Sequence, residues 1–300
     1  MRECYSRDGP KVAALVYNSP LVSICIPAYK GQRFIGETIQ SALSQTIDDI
    51  EIVISNDGGH STPALETFAA HPRIKIYASN VRRGWVQNSN YVLSLARGKY
   101  FMILPHDDLL QPDYLESCLD ILERDRGVFA AYSDIASDQG LLPATEVVGP
   151  VTERLSHVMR HLYNGYSFRA VMPRHPELWD HLRLRSNPPA DFCVDTTWIL
   201  QQACLGELRK VPRPLYWKRL HAGSTHATWE NLPSDVLLAA WQQHCLQMGE
   251  IAKKWVDDPA MIADLVSQRI EGLNLAELPP YLATAIANKP KLTPGRLPVT

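Results

Sequence analysis

Residues 100–110, YFMILPHDDLL, end an apolar run on two adjacent carboxylates, Asp107 and Asp108. Like charges side by side repel unless something neutralises them, and a divalent metal with oxygen ligands does so in sites that handle phosphates. A helix cap is the competing reading, because aspartate suits the position before a helix and Pro112 sits at a plausible first helical position. Asp57 follows a second apolar run, EIVIS. Asp191 and Asp195 precede the helical pattern TTWILQQACLGEL, where Asp195 also reads as an N-cap, and KRLHAGSTH supplies Lys218, Arg219 and His221. Carboxylates of this kind can hold a metal or take a proton, and cations can pair with phosphate charge.

These residues need a scaffold. LVSICI (21–26), EIVIS (51–55), RIKIY (73–77), YFMIL (100–104) and VFAAYS (128–133) read as strands. Phe34, Ile35, Ile39, Ala42 and Leu43 share one helical face, as do Ala64, Leu65, Phe68 and Ala69, and then Leu115, Cys118, Leu119 and Leu122. Strands separated by helices imply crossovers and a mostly parallel sheet, whose ligands bind beyond the carboxyl ends of the strands. Asp57, Asp107 and Asp108 all lie at such ends.

Further along, ERLSHVMRHLY reads as a helix, SFRAVMP as a strand, and VDTTWILQQACLGEL as a helix stopped by Gly206. RKVPRPLYWKRLHAGSTH is extended, with Pro212 and Pro214 pointing to an edge strand or crossing segment. Two amphipathic helices and a proline-rich tail close the chain.

A formal net charge of -2 without a basic or acidic block gives no footprint for nucleic acid. No window approaches the ~18 to 20 apolar residues of a membrane span, so an integral membrane role is disfavoured and peripheral contact stays open. The six cysteines have no C-x-x-C spacing and read as reduced, hence a cytoplasmic setting, with the inner face of a membrane as the place of any peripheral contact.

Residues 22–61 and 80–116, from VSICIPAYKGQRF to PHDDLLQPDYLE, resemble the family 2 inverting glycosyltransferases of the GT-A fold. The resemblance implies a Rossmann-like α/β domain over residues 1–225, a C-terminal helical extension and tail over 226–300, and use of a nucleotide-diphosphate sugar. It places Pro27, Ala28 and Tyr29 against the base and ribose, and Asp57 as acceptor of a hydrogen bond from the base. It makes Asp108 the direct ligand of Mn2+ or Mg2+, with Asp107 near the ribose or donor sugar. The family's E-D pair corresponds to Val194 and Asp195, so Asp195 is the expected base and Asp191 the reserve candidate. His221 completes the metal shell, and Lys218 and Arg219 face the diphosphate.

Two departures stand out: Pro105 replaces the frequent leading aspartate of the acidic element, and Ser89 replaces an arginine before Asn90. Asn88 and Asn90 offer amides suited to sugar hydroxyls, or to capping. His157 and His161 share a helical face without the glutamate of a zinc motif and read as surface polar. Arg82 and Arg83 read as phosphate contacts or an exposed turn, Leu182–Asn187 as a solvated face or a contact for an anionic lipid-linked acceptor, and the tryptophans as core or as sugar platforms.

The expected reaction is metal-dependent sugar transfer, with inversion, to a hydroxyl of a carbohydrate or lipid-linked glycan. Two alternatives remain. A sugar-nucleotide nucleotidyltransferase would want a denser glycine cluster than PAYKGQRF, and a silent nucleotide-sugar-binding module would account for the missing glutamate.

Overall fold

A computed structural model describes residues 19–59, 62–162, 164–221, 223–272 and 278–288; the proline-rich tail expected at the end of the chain lies outside them. The first sheet has the order β3-β2-β1-β4-β8, from strands β1 (Val22–Ala28), β2 (Ile50–Asp57), β3 (Ile74–Ser79), β4 (Tyr100–Ile103) and β8 (Met172–Pro173). Its first four strands are parallel and β8 runs antiparallel to β4. β2 is buried along its whole length, as a near-continuous apolar run requires when helices cover both faces of a parallel sheet.

The second sheet has the order β5-β9-β6-β7, from β5 (Leu109–Leu110), β6 (Val128–Ser137), β7 (Gly140–Leu142) and β9 (Glu207–Lys218). Residues 128–133 therefore do not extend the first sheet: β6 pairs in parallel with β9, and an isolated bridge between Ala131 and Val171 links it to the segment leading into β8. The register of that pairing shifts between Val211 and Pro214, where Pro212 and Pro214 lack the amide proton that a regular ladder uses.

The helices are α1 (Ile35–Leu43), α2 (Pro63–Phe68), α3 (Trp85–Ser94), α4 (Tyr114–Arg124), α5 (Val151–His161), α6 (Trp179–Leu182), α7 (Val194–Leu205), α8 (Thr225–Glu230), α9 (Ser234–Ala252), α10 (Pro259–Glu271) and α11 (Pro280–Ala287). α4 begins after Asp113, so Pro112 precedes the helix instead of opening it. Ile24 and Ile26 pack with α1, α2 and α4, whereas Cys25 faces the core shared by α3, α5, α7, α9 and α10. This is the two-residue alternation of a strand buried on both sides. SFRAVMP becomes a short 3-10 turn, Tyr166–Arg169, before β8.

α7 ends at Gly206, whose backbone is extended, and the position is crowded: a Cβ there would lie 2.8 Å from both Gly127 O and Phe129 Cβ. No helix among the described residues is long and apolar enough to cross a membrane.

Candidate active site

The carboxyl ends of β1, β2, β4 and β9 open on one cavity of about 550 Å³. Pro27, Ala28, Tyr29, Asp57, Asp107, Asp108, Asp195, Lys218, Arg219 and His221 all line it. Asn90 and Asp191 do not. Both ends of the Asn90 amide are committed to the backbone of Leu184, at 2.9 Å each, so it fastens a neighbouring segment. Asp191 adopts a left-handed conformation (φ 51°), accepts from Ser186 Oγ and from Asn187 N at 3.0 Å, and holds its own loop.

The two adjacent aspartates separate. Asp108 is buried, and Oδ2 accepts from Arg169 Nε at 3.1 Å and Tyr216 Oη at 2.7 Å while Oδ1 accepts from Arg219 N at 3.0 Å. Burial pushes its carboxyl upward and the Arg169 cation opposes this; with every contact donated to it, the carboxylate is the form these neighbours hold. Asp107 instead brings Oδ2 to 2.8 Å from His221 Nε2 at the cavity wall. Asp108, the expected metal ligand, thus has Oδ2 taken by Arg169 and Tyr216 and Oδ1 by Arg219 N, and the accessible carboxylate beside an imidazole is that of Asp107.

Asp57 accepts from Arg83 N at 2.8 Å and Gly84 N at 3.0 Å, pinning the turn before α3 against the end of β2. Gly84 takes φ 82° there, a conformation that glycine adopts without strain. Asn88 joins two strand ends through Ala28 O (3.4 Å) and Ser55 O (3.2 Å). Asp195 lies in the first turn of α7, one residue past its N1 position, so it is no N-cap. Its Oδ1 accepts from Thr196 N at 2.9 Å, and a Cβ on Gly165 would sit 2.7 Å from its carboxylate carbon.

Cations crowd the same wall. Phe34 carries Arg33 at 4.7 Å and Arg219 at 4.9 Å from its ring centre, with the His221 ring at 5.0 Å. Arg219 also pairs with Glu37 and donates to Asp107 O at 3.1 Å. Arg82 stacks on Tyr29 at 4.4 Å. Burial, helped by Arg169, brings the Lys218 ammonium down to about 8.

Arg169 was missed by sequence reasoning, since a lone arginine in an apolar run carries no motif, and Phe34 was read only as part of a helical face; Lys30 and Arg33, weighed in PAYKGQRF as cations for a phosphate loop, also line the cavity. Of the tryptophans, Trp85 and Trp229 line the cavity, whereas Trp198 and Trp241 are core. His157 and His161 lie on α5 in a separate depression, and among the described residues no third His, Cys, Asp or Glu completes a metal group with them.

Comparison with known proteins agrees with this architecture. The sequence profile of glycosyl transferase family 2 matches residues 23–175. A chondroitin synthase of Escherichia coli is 30% identical over 229 residues, covering 74% of this chain but 32% of that protein, so the chain spans about a third of its length. S. aureus TarS 1-349 in complex with UDP-GlcNAc superposes with a TM-score of 0.63 at 11% identity, over 83% of this chain and 71% of that one. A mannosyltransferase, PcManGT from Pyrobaculum calidifontis, in complex with GDP-Man and Mn2+, gives 0.56 at 19% identity, over 91% and 75%. At such identities these structures speak for the fold alone, which is GT-A. The profile match spans half the chain and takes in the ends of β1, β2 and β4 that border the cavity: the chain belongs to glycosyl transferase family 2.

Proposed function

We propose that the chain transfers a sugar, with inversion, from a nucleotide-diphosphate sugar to a hydroxyl of a carbohydrate or lipid-linked glycan acceptor, in polysaccharide or glycoconjugate synthesis. One observation carries this reading: the ends of β2, β4 and β9 and the start of α7 deliver Asp57, Asp107 with His221, Lys218 with Arg219, and Asp195 to a single cavity. The chondroitin synthase relative and the nucleotide-sugar complexes of the structural neighbours are consistent with it.

Inversion requires a base opposite the leaving group. Asp195 fits that role, since one oxygen is fixed by Thr196 N–H and the carboxylate borders the cavity. It takes the proton of the acceptor hydroxyl as that oxygen attacks the anomeric carbon. Lys218 and Arg219 meet the charge that develops on the departing diphosphate, and burial of Lys218 strengthens this interaction by excluding water. Tyr29 and Asp57 border the space for the nucleoside.

The donor set of Asp107 and His221, one carboxylate oxygen and one imidazole nitrogen 2.8 Å apart, fits Mn2+ or Mg2+ that also binds phosphate oxygens. When bound, the ion supplies positive charge for the diphosphate.

The test is thermal unfolding with UDP, dTDP, GDP and CMP, each with and without manganese. A nucleotide at ~100 times its dissociation constant adds about 2.7 kcal/mol. A midpoint raised by one nucleotide only when manganese is present supports the site and names the donor class; no shift with any of them overturns it.

A further inference from the structure

The segment from Ser186 to Thr197, which carries Asp191 and Asp195, is bonded at successive points to the helices that follow the second sheet. Gln247 Nε2 donates to Ser186 O at 3.0 Å, and Trp229 Nε1 to Ala190 O at 3.0 Å. Asn187 Nδ2 donates to Phe192 O at 2.7 Å and to Ala240 O at 3.0 Å. His244 of α9, wholly buried, meets Thr197 Oγ1 at 2.8 Å through Nδ1 and Thr196 Oγ1 at 3.4 Å through Nε2. Both threonine hydroxyls also donate to Cys193 O, at 3.0 Å from Thr196 and 3.4 Å from Thr197. Asp195 thus lies between a left-handed residue, Cys193 (φ 56°), and the pair Thr196 and Thr197, of which Thr197 is tied to α9.

The other side of Asp195 is held from α10. Arg269, itself buried, donates through Nη1 to Val158 O (3.2 Å) and Met159 O (2.8 Å), and through Nη2 to Leu162 O (2.9 Å), closing the end of α5. From there the chain runs to Gly165, which packs so closely on the Asp195 carboxylate that no Cβ fits. Arg269 Nη2 also meets His244 Nε2 at 3.4 Å. A guanidinium can only donate, so Nε2 is the accepting nitrogen and the imidazole proton sits on Nδ1, donated to Thr197 Oγ1. Burial, with the adjacent Arg269 cation, holds His244 well below its ordinary value, in the neutral form this pattern needs. One continuous hydrogen-bonded chain therefore joins the end of α5 to the first turn of α7.

We propose that His244 and Arg269 are positioning residues that set where the Asp195 carboxylate stands, so that the C-terminal helices are part of the catalytic apparatus. Both residues lie beyond the segment matched by the family profile. The inference rests on the reading of Asp195 as base.

The test uses the full chain and four variants: Thr197→Val, His244→Ala, Arg269→Lys and Asp195→Asn. The donor site is followed by the midpoint shift with UDP or GDP plus manganese, and turnover by nucleotide release from UDP-GlcNAc or GDP-mannose. A displaced base lowers kcat by about 10- to 100-fold in Thr197→Val and His244→Ala at unchanged donor KM and midpoint shift. Arg269→Lys, which keeps a cation but fewer donors, falls between these variants and wild type. Wild-type kcat in Thr197→Val and His244→Ala beside an inactive Asp195→Asn overturns the proposal and leaves the base assignment standing. Wild-type turnover in Asp195→Asn removes the base assignment and this proposal together. Loss of the midpoint shift along with kcat in Thr197→Val, which deletes a single hydroxyl, shows a general structural role and also overturns it.

Discussion

Asp108 gives both carboxylate oxygens to three donors and is almost wholly out of water, whereas Asp107 keeps its carboxylate at the cavity wall beside His221. Substituting one member of a buried pair leaves the other charge stranded, so Asp108→Asn should destabilise the fold by about 3–5 kcal/mol in chemical denaturation. Asp107→Asn should leave that stability nearly unchanged and abolish the manganese-dependent midpoint shift. Lys218, brought down to about 8, keeps its charge below that pH and loses it above. The donor kcat/KM should therefore decline as pH rises through about 8, and Lys218→Met should remove that limb. Asp57, Asp107 and Asp195 were legible because each ends an apolar run or opens a helix. Which of the adjacent aspartates is buried was not, since that depends on Arg169 and Tyr216, which are distant in sequence.

At the scale of elements, α3 went unread because Asn88, Ser89 and Asn90 form helices poorly in isolation. Asn88 and Asn90 spend their amides on Ala28, Ser55 and Leu184, so tertiary bonds replace intrinsic preference. The division into two sheets was equally hidden, because residues 128–133 would look the same in either. The α7 boundaries were legible from Val194 and Gly206. Close packing makes both ends of that helix sensitive. Gly206→Ala places a methyl on the Gly127 carbonyl and should cost about 1–3 kcal/mol of stability. Gly165→Ala should instead push the Asp195 carboxylate aside, lowering kcat while the nucleotide-dependent midpoint shift persists.

Across the whole molecule, the amphipathic character of α9 and α10 was legible, but the buried side chains they bring to the base were not, because a single His244 or Arg269 within a helical pattern carries no motif. The folded state keeps His244 neutral through burial and the Arg269 cation, while the unfolded chain takes up its proton near 6.5. A group with a depressed folded value stabilises above its unfolded value, so this contribution is complete above about pH 6.5 and is lost as pH falls below it. The thermal midpoint should drop between pH 7 and 5, and His244→Gln should flatten that slope. Asp108 carries a different consequence, one of timing during synthesis. Its partners Arg169, Tyr216 and Arg219 lie 61, 108 and 111 residues further along. A chain emerging from the ribosome completes the four parallel strands by Ile103, yet the Asp108 carboxylate in its cleft meets no cation until Arg169 has followed, and its last two donors arrive only with β9 and the residue just beyond it. The hydrogen bonding of this carboxylate should therefore be complete only once the second sheet has docked.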